Sequence, residues 1–196
     1  LAHGWNKDLI PMWKEEIKDV FWTNHNFLDD KYIDNVLKYS QQHSLVEVEQ
    51  KDTHYEAYAD LLRSRPEFTY PLLSKLNEQY QILFNKKTQT TGMSSLQIVK
   101  KRFVPNKSFY KPHKELPTIY GECVFMFYLT DEIDGDLVIP EFNYRITPKR
   151  NLCVIMSTGY THLVEKCSGE RQVITGWSFA PHSRLTKELR KNYDKL

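Results

Sequence analysis

His113 and Glu115 stand two residues apart in FYKPHKE, residues 109–115. On a helix these side chains diverge; on a strand, where side chains alternate with period two, they share a face. A histidine and a carboxylate side by side form either a salt link or two thirds of a metal site. Of the seven histidines, His3, His25, His43 and His54 fall in a stretch with helical patterning, and His182 lies beyond the last strand-like run. His162, in STGYTHLVEKCSGERQV, lies between two strand-like runs and is the candidate third ligand. Two ligands on one strand and a distant histidine on another make the 2-His-1-carboxylate arrangement. That set occupies one face of an octahedral Fe(II) and leaves positions open for a co-substrate and dioxygen. Arg171 follows just past the turn CSGE. If His162 ends one strand and Arg171 starts its neighbour, the guanidinium points into the same cavity, where burial demands a carboxylate partner. A dicarboxylic co-substrate chelating the metal at one end supplies that carboxylate at the other.

Each of these residues also has an ordinary reading. A lone H-x-E on a strand is usually a surface or structural pair, and His162 alone is more often a hydrogen-bonded structural histidine. Arg171 after Gly169-Glu170 reads as a turn arginine. Tyr128 and Trp177 read as core aromatics. Cys123 and Cys153 lie in apolar runs and read as buried and inert, whereas Cys167, in a turn, reads as exposed and oxidisable. Only the joint pattern points to a metal site.

The elements that must position these residues change in texture near residue 90. Before it the patterns are helical. FLDDKYIDNVLKYSQQH (27–43) has Asp29 as N-cap and Ile33, Val36, Leu37 and Ser40 at helical spacing. YPLLSKLNEQYQILF (70–84) aligns Leu72, Leu73, Leu76, Tyr80 and Leu83, with Pro71 in the first turn. HYEAYADLLRSRPEF between them reads as a short helix ending near Pro66. After TQTTGMSS the runs are short and β-like: 96–104, 122–130, 136–142, 152–157 and 171–180. Pro105-Asn106, Asp134-Gly135, Pro148 and Ser168-Gly169 are the turn signals between them. In the strand 122–130, alternation puts Val124, Met126 and Tyr128 on one face and Phe125 and Phe127 on the other. This order predicts a sandwich or barrel with helices packed outside it. We read one domain over 1–196: helical support to residue 90, a β-barrel core over 91–182 bearing the metal site, and a tail from 183.

The bulk numbers narrow the function classes. The chain has 196 residues, enough for a substantial core, and is 40% hydrophobic and 27% charged, which speaks against wholesale disorder. A net charge of +2 is too small to argue for nucleic acid or a membrane surface, and the basic tail RLTKELRKNYDKL reads as a solvated helix. No apolar run approaches the length of a membrane helix. Three cysteines without a CxxC pair favour reduced thiols and a cytoplasmic location.

The stretch 97–180 resembles the Fe(II)/2-oxoglutarate-dependent dioxygenases, and within them the prolyl 4-hydroxylase-like branch. The matching pieces, in order, begin with FYKPHKE and the strand ending in Tyr-Leu-Thr-Asp, FMFYLTDEIDGDLVIPEF. A basic segment before an apolar strand follows, ITPKRNLCVIMS. Last comes a histidine, a short gap, GER and a strand bearing a tryptophan, THLVEKCSGERQVITGW. The resemblance implies a double-stranded β-helix, or cupin-like jelly roll, with N-terminal helices on one side. It implies that His113, Glu115 and His162 bind Fe(II), that Arg171 pairs with the distal carboxylate of 2-oxoglutarate, and that the Tyr128 hydroxyl helps hold it. Thr175 would add a hydroxyl, Trp177 would line the cavity, and Phe103 stands where close relatives often carry a tyrosine facing the co-substrate. The family's usual carboxylate is Asp; here it is Glu115, one methylene longer, as in some members of the wider superfamily.

The implied activity is hydroxylation of prolyl residues in a protein or peptide, with O2 consumed, succinate and CO2 released, and ascorbate a candidate auxiliary reductant. Two alternatives stand beside it: the same chemistry on a free amino acid or other small molecule, and a cupin-like module that binds a metal or ligand without turnover. A nucleic-acid demethylase is the weakest reading, because the charge footprint is missing and HKELPTIYGE contains no arginine.

Overall fold

In a computed structural model, residues 20–58, 62, 65–84, 98–115 and 123–178 are described. TQTTGMSS, the tail RLTKELRKNYDKL, His3 and His182 lie outside the described residues. The elements run β1 (Phe21–Asn24), α1 (Asp30–Ser40), β2 (Val46–Gln50), β3 (Thr53–Tyr58), α2 (Pro66–Phe84), β4 (Val99–Phe103) and β5 (Phe109–His113). They continue with β6 (Cys123–Tyr128), β7 (Leu137–Ile139), a 3-10 turn (Pro140–Phe142), β8 (Tyr144–Ile146), β9 (Cys153–Ser157), β10 (His162–Val164) and β11 (Arg171–Trp177).

The strands form one antiparallel sheet in the order β1-β9-β6-β11-β4-β3-β5-β10-β7-β8, with β2 added to β3. The sheet curls on itself: the rings of Phe21 in β1 and Tyr144 in β8, at opposite ends of that order, lie 5.2 Å apart. The result is the expected jelly-roll core with helices on one side.

The period of two sorts the side chains into two cores. From β6, Cys123, Phe125 and Phe127 face the helices and join Ile33, Val36, Leu72, Leu76 and Tyr80 in a buried cluster. Val124, Met126 and Tyr128 face the inside of the curl with Phe103, Leu137 and Val173. Burying side chains such as Phe127 and Leu76 contributes roughly 1.5–3 kcal/mol each. Asp29 caps α1, its carboxylate accepting the Tyr32 amide at 2.7 Å. Arg150, from the basic segment before β9, reaches Asp30 at 3.1 Å and Asp34 at 2.9 Å and ties α1 to the sheet.

Three expectations are corrected. Residues 53–58 are strand β3, not part of a short helix. VEVEQKDTHYEAY alternates with period two on both sides of Lys51-Asp52, and β2 and β3 pair from Val46↔Ala57 to Gln50↔Thr53 as a hairpin. Pro66 therefore starts α2 rather than ending a helix, where its missing N–H costs nothing, and Pro71 lies inside α2 beyond its first turn. Cys167 is fully buried rather than exposed, because its turn packs under the loop at Gly135. The three cysteines are free thiols, and among the described residues no helix is long and apolar enough to cross a membrane.

Candidate active site

β5 and β10 pair so that His113 and His162 stand directly opposite each other, with a bulge before Val164↔Tyr110. Their ring centroids are 4.3 Å apart. Glu115 lies two residues past the end of β5 and brings Oε1 to 3.6 Å from His113 Nε2 and 3.9 Å from His162 Nε2. One donor atom from each of the three residues lies within 4.8 Å of the others. The Nδ1 atoms face backbone carbonyls, His113 at 2.8 Å from Lys111 O and His162 at 3.2 Å from Tyr160 O. An N–H on each Nδ1 leaves each Nε2 lone pair aimed at the shared point, the arrangement a metal-binding histidine needs. Lys114 points away to Glu141, as the alternation requires.

Burial lowers the His162 pKa to about 4, helped by the neighbouring His113, so this ring is neutral at physiological pH. For His113 burial also works downward, but the hydrogen bonds to Glu115 and to the Lys111 carbonyl outweigh it and hold the ring above its ordinary range. Burial pushes Glu115 up, yet the hydrogen bond from His113 and the positive charge that ring can carry outweigh it and hold the carboxyl below the usual carboxylate range. Two imidazoles and one carboxylate suit a divalent ion such as Fe(II), which would displace the proton that His113 shares with Glu115.

The group opens on a cavity of about 370 Å³ inside the curl. Arg171 enters it from the start of β11 and is 1% exposed. Its Nη2 donates to the Gly135 carbonyl, while Nε and Nη1 are buried with no hydrogen-bond partner among the described residues. Thr175 Oγ1 is in the same condition. Glu132 and Asp134 feel the guanidinium's charge, but no carboxylate lies within 4.0 Å of it among the described residues, and hydrogen bonds left unmade this deep are costly. Donors left open beside a cavity fit the carboxylate of a small diacid such as 2-oxoglutarate. Among the described residues the Tyr128 hydroxyl has Met126 Sδ, at 3.8 Å, as its one weak acceptor, and burial pushes its pKa up to about 12, so it stays a proton donor. Gly135, at φ +75°, has its Cα against Arg171 and Cys167; a Cβ there would collide with both.

All eight candidate residues therefore line one cavity: His113, Glu115, His162, Arg171, Tyr128, Thr175, Phe103 and Trp177. The route to it differs from the expectation in one respect. His162 opens its strand rather than ending it, and β10 and β11 are not neighbours; β4, β3 and β5 lie between them. Arg171 meets the metal group because the sheet curls, not because the strands adjoin.

Sequence reasoning missed Tyr55, Lys101 and Tyr110, which also line the cavity. Tyr55 was hidden by the helical reading of β3. Tyr110 is stacked between Tyr55, at 5.4 Å, and His113, at 5.3 Å between centroids. Lys101 is 5% exposed, its Nζ donates to Tyr110 Oη at 2.9 Å, and burial lowers its pKa. Alternation with Phe103 along VKKRF was the available signal for Lys101.

No family model matches the sequence, and no curated protein matches it. Solved structures do match in fold. A prolyl-4-hydroxylase from Pseudomonas putida aligns at 14% identity with a TM-score of 0.62, over 83% of this chain and 94% of that one. A prolyl hydroxylase from Trichoplax adhaerens, in complex with a hypoxia inducible factor oxygen degradation domain peptide fragment, aligns at 14% identity and 0.58, over 91% and 94%. The non-heme alpha ketoglutarate dependent epimerase SnoN from nogalamycin biosynthesis aligns at 11% identity and 0.63, over 87% and 83%. At these identities the likeness is one of fold: this chain has the fold of the prolyl hydroxylases and other 2-oxoglutarate/Fe(II) oxygenases.

Proposed function

We propose that this chain is a single catalytic domain that uses Fe(II) and 2-oxoglutarate to hydroxylate prolyl residues in a peptide or protein. The observation that carries the reading is the pairing, in one cavity, of the His113–Glu115–His162 group with a buried Arg171 that has two open donors. Bound iron and 2-oxoglutarate would supply oxidative decarboxylation to succinate and CO2, coupled to hydroxylation of a C–H bond. The protein supplies the rest. His113 Nε2, His162 Nε2 and the Glu115 carboxylate hold the ion, with the Lys111 and Tyr160 carbonyls keeping the rings in register. Arg171 Nε and Nη1 and the Tyr128 hydroxyl orient the distal carboxylate, and Thr175 adds a hydroxyl. Val124, Met126, Phe103 and Val173 give the cavity apolar walls that exclude water. Trp177 closes the metal end of the same strand face. Ascorbate as an auxiliary reductant and a cytoplasmic setting belong to the same proposal.

A second reading keeps the chemistry and replaces the peptide by a small molecule. It is favoured by the likeness to the epimerase, which is as close in fold as that to the prolyl hydroxylases. The test is an anaerobic titration of metal-free protein with Fe(II), then 2-oxoglutarate, watching for the visible charge-transfer band of the chelate. A band saturating at one equivalent supports the oxygenase reading. Iron binding without a band refutes the roles given to Arg171 and Tyr128, and no iron binding refutes the metal site. Succinate release stimulated by proline-containing peptides, and not by free amino acids, then separates the two readings.

A further inference from the structure

Lys101 is a second cation in the cavity, and nothing in the proposed chemistry uses it. It projects from the middle of β4, opposite Val173 of β11 and Ala57 of β3, so paired strands cover it on both sides. Its ammonium lies 4.6 Å from the Tyr55 ring centroid, 5.0 Å from Tyr110 and 5.4 Å from Trp177. Among the described residues no carboxylate lies within 4.0 Å of it, and its one hydrogen bond goes to Tyr110 Oη. Three aromatic faces, and at longer range the Glu115 carboxylate, ease the desolvation of a buried ammonium without pairing with it directly. A lysine kept at this cost beside a cavity, where an apolar residue would pack without penalty, has the environment of an anion site waiting for its anion.

The position of the second cation relative to the first is informative. Arg171 stands opposite Phe103, and Lys101 is two residues along the same strand from Phe103. The two cationic stations are thus staggered by about 6.6 Å, at some 3.3 Å per strand residue. A five-carbon diacid can reach across that spacing. Lys101 is the station at the metal end: Tyr110, which receives its hydrogen bond, stacks on His113, and Trp177 lies on its other side.

We infer that Lys101 is a second carboxylate anchor, which takes the metal-proximal carboxylate of the same diacid whose distal carboxylate Arg171 holds. This rests on the diacid reading of the cavity given above. It adds that both carboxylates are recognised by the protein's own cations, so that diacid binding does not depend on metal alone.

The test uses metal-free protein and calorimetric titration with glutarate and with its monomethyl ester. Each charge-assisted contact is worth roughly ten- to a hundredfold in affinity. Wild type should prefer glutarate over the ester by that factor. Lys101→Met should lose most of the preference, and Lys101→Arg, which keeps the cation, should retain it. Lys101→Met removes a buried charge and should fold; an unchanged melting temperature checks this, and Lys101→Gln serves as a second neutral variant. If both folded neutral variants keep the full preference while Arg171→Leu abolishes it, Lys101 is not an anchor and the inference falls, with the diacid reading intact. If neither Lys101→Met nor Arg171→Leu changes glutarate binding, the diacid reading itself is wrong and the inference falls with it.

Discussion

Replacing Arg171 by leucine separates the two ends of the cavity. In the native protein Arg171 Nε and Nη1 are buried and open, while Nη2 is held by the Gly135 carbonyl. A bound distal carboxylate therefore gains two charge-assisted hydrogen bonds, at roughly 1.5–3 kcal/mol each. Their loss together weakens 2-oxoglutarate by about 3–6 kcal/mol, which is about a hundredfold to ten-thousandfold. The His113–Glu115–His162 group makes no hydrogen bond or ion pair with Arg171 among the described residues, so the affinity for Fe(II) should move by less than about threefold. The free variant should stay close to wild type in stability, because the buried charge it removes has two open donors, set against the lost Gly135 hydrogen bond and the more distant attraction of Glu132 and Asp134. The assay is calorimetric titration of Zn(II)-loaded protein with 2-oxoglutarate, alongside metal titration and thermal melts with and without the diacid. Wild type should gain melting temperature on adding 2-oxoglutarate, and Arg171→Leu should not. An equal loss of metal and 2-oxoglutarate binding, with a lowered melting temperature, would refute the reasoning and make Arg171 a structural residue.

Metal affinity should fall as the pH drops through the titration of His113. Its pKa is held above the ordinary histidine range by Glu115 and the Lys111 carbonyl, so a proton competes for Nε2 at a higher pH than for a free imidazole, and Zn(II) titrations across pH 5–9 read this directly. Lys100, buried on the helix side of β4, has its pKa lowered to about 7 by burial. The folded chain then sheds a proton that the unfolded chain still holds, so stability should rise with pH between about 7 and the ordinary lysine value, by up to about 1.4 kcal/mol per unit. Urea unfolding of wild type should show that slope and Lys100→Met should flatten it; a slope unchanged in the variant assigns it elsewhere. Gly135→Ala should cost at least about 1 kcal/mol from its left-handed backbone alone and more from the collision with Cys167 and Arg171. It should also weaken 2-oxoglutarate by displacing Arg171, and wild-type diacid affinity in a folded variant would show that the contact is not positional.

What the sequence determined is what depends on local period and residue chemistry. Alternation in CVFMFY put Tyr128, Met126 and Val124 on one face and Phe125 and Phe127 on the other, because a strand buried on both faces still alternates; the structure makes the first the cavity face and turns Phe125 and Phe127, expected as barrel walls, toward the helices. The spacing of LLSKLNEQY set the buried stripe of α2, and Asp29 set the start of α1. His113, Glu115, His162 and Arg171 could be singled out because few residue types suit Fe(II) or a buried carboxylate, and the structure brings these four to one cavity. The tertiary structure decided what depends on which strands become neighbours. A charge inside VKKRF reads as solvent-facing until β3 and β11 pair on either side of it, and only then is Lys101 a buried cation. The strand period around Tyr55 was present locally in VEVEQKDTHYEAY and was misread as helix, but that Tyr55 lines the cavity was decided by the pairing of β3 with β4 and β5, far along the chain. Arg171 and the His113–His162 pair meet only because the sheet curls. That closure is a sum of twist and packing over all the strands, and no short stretch of sequence carries it.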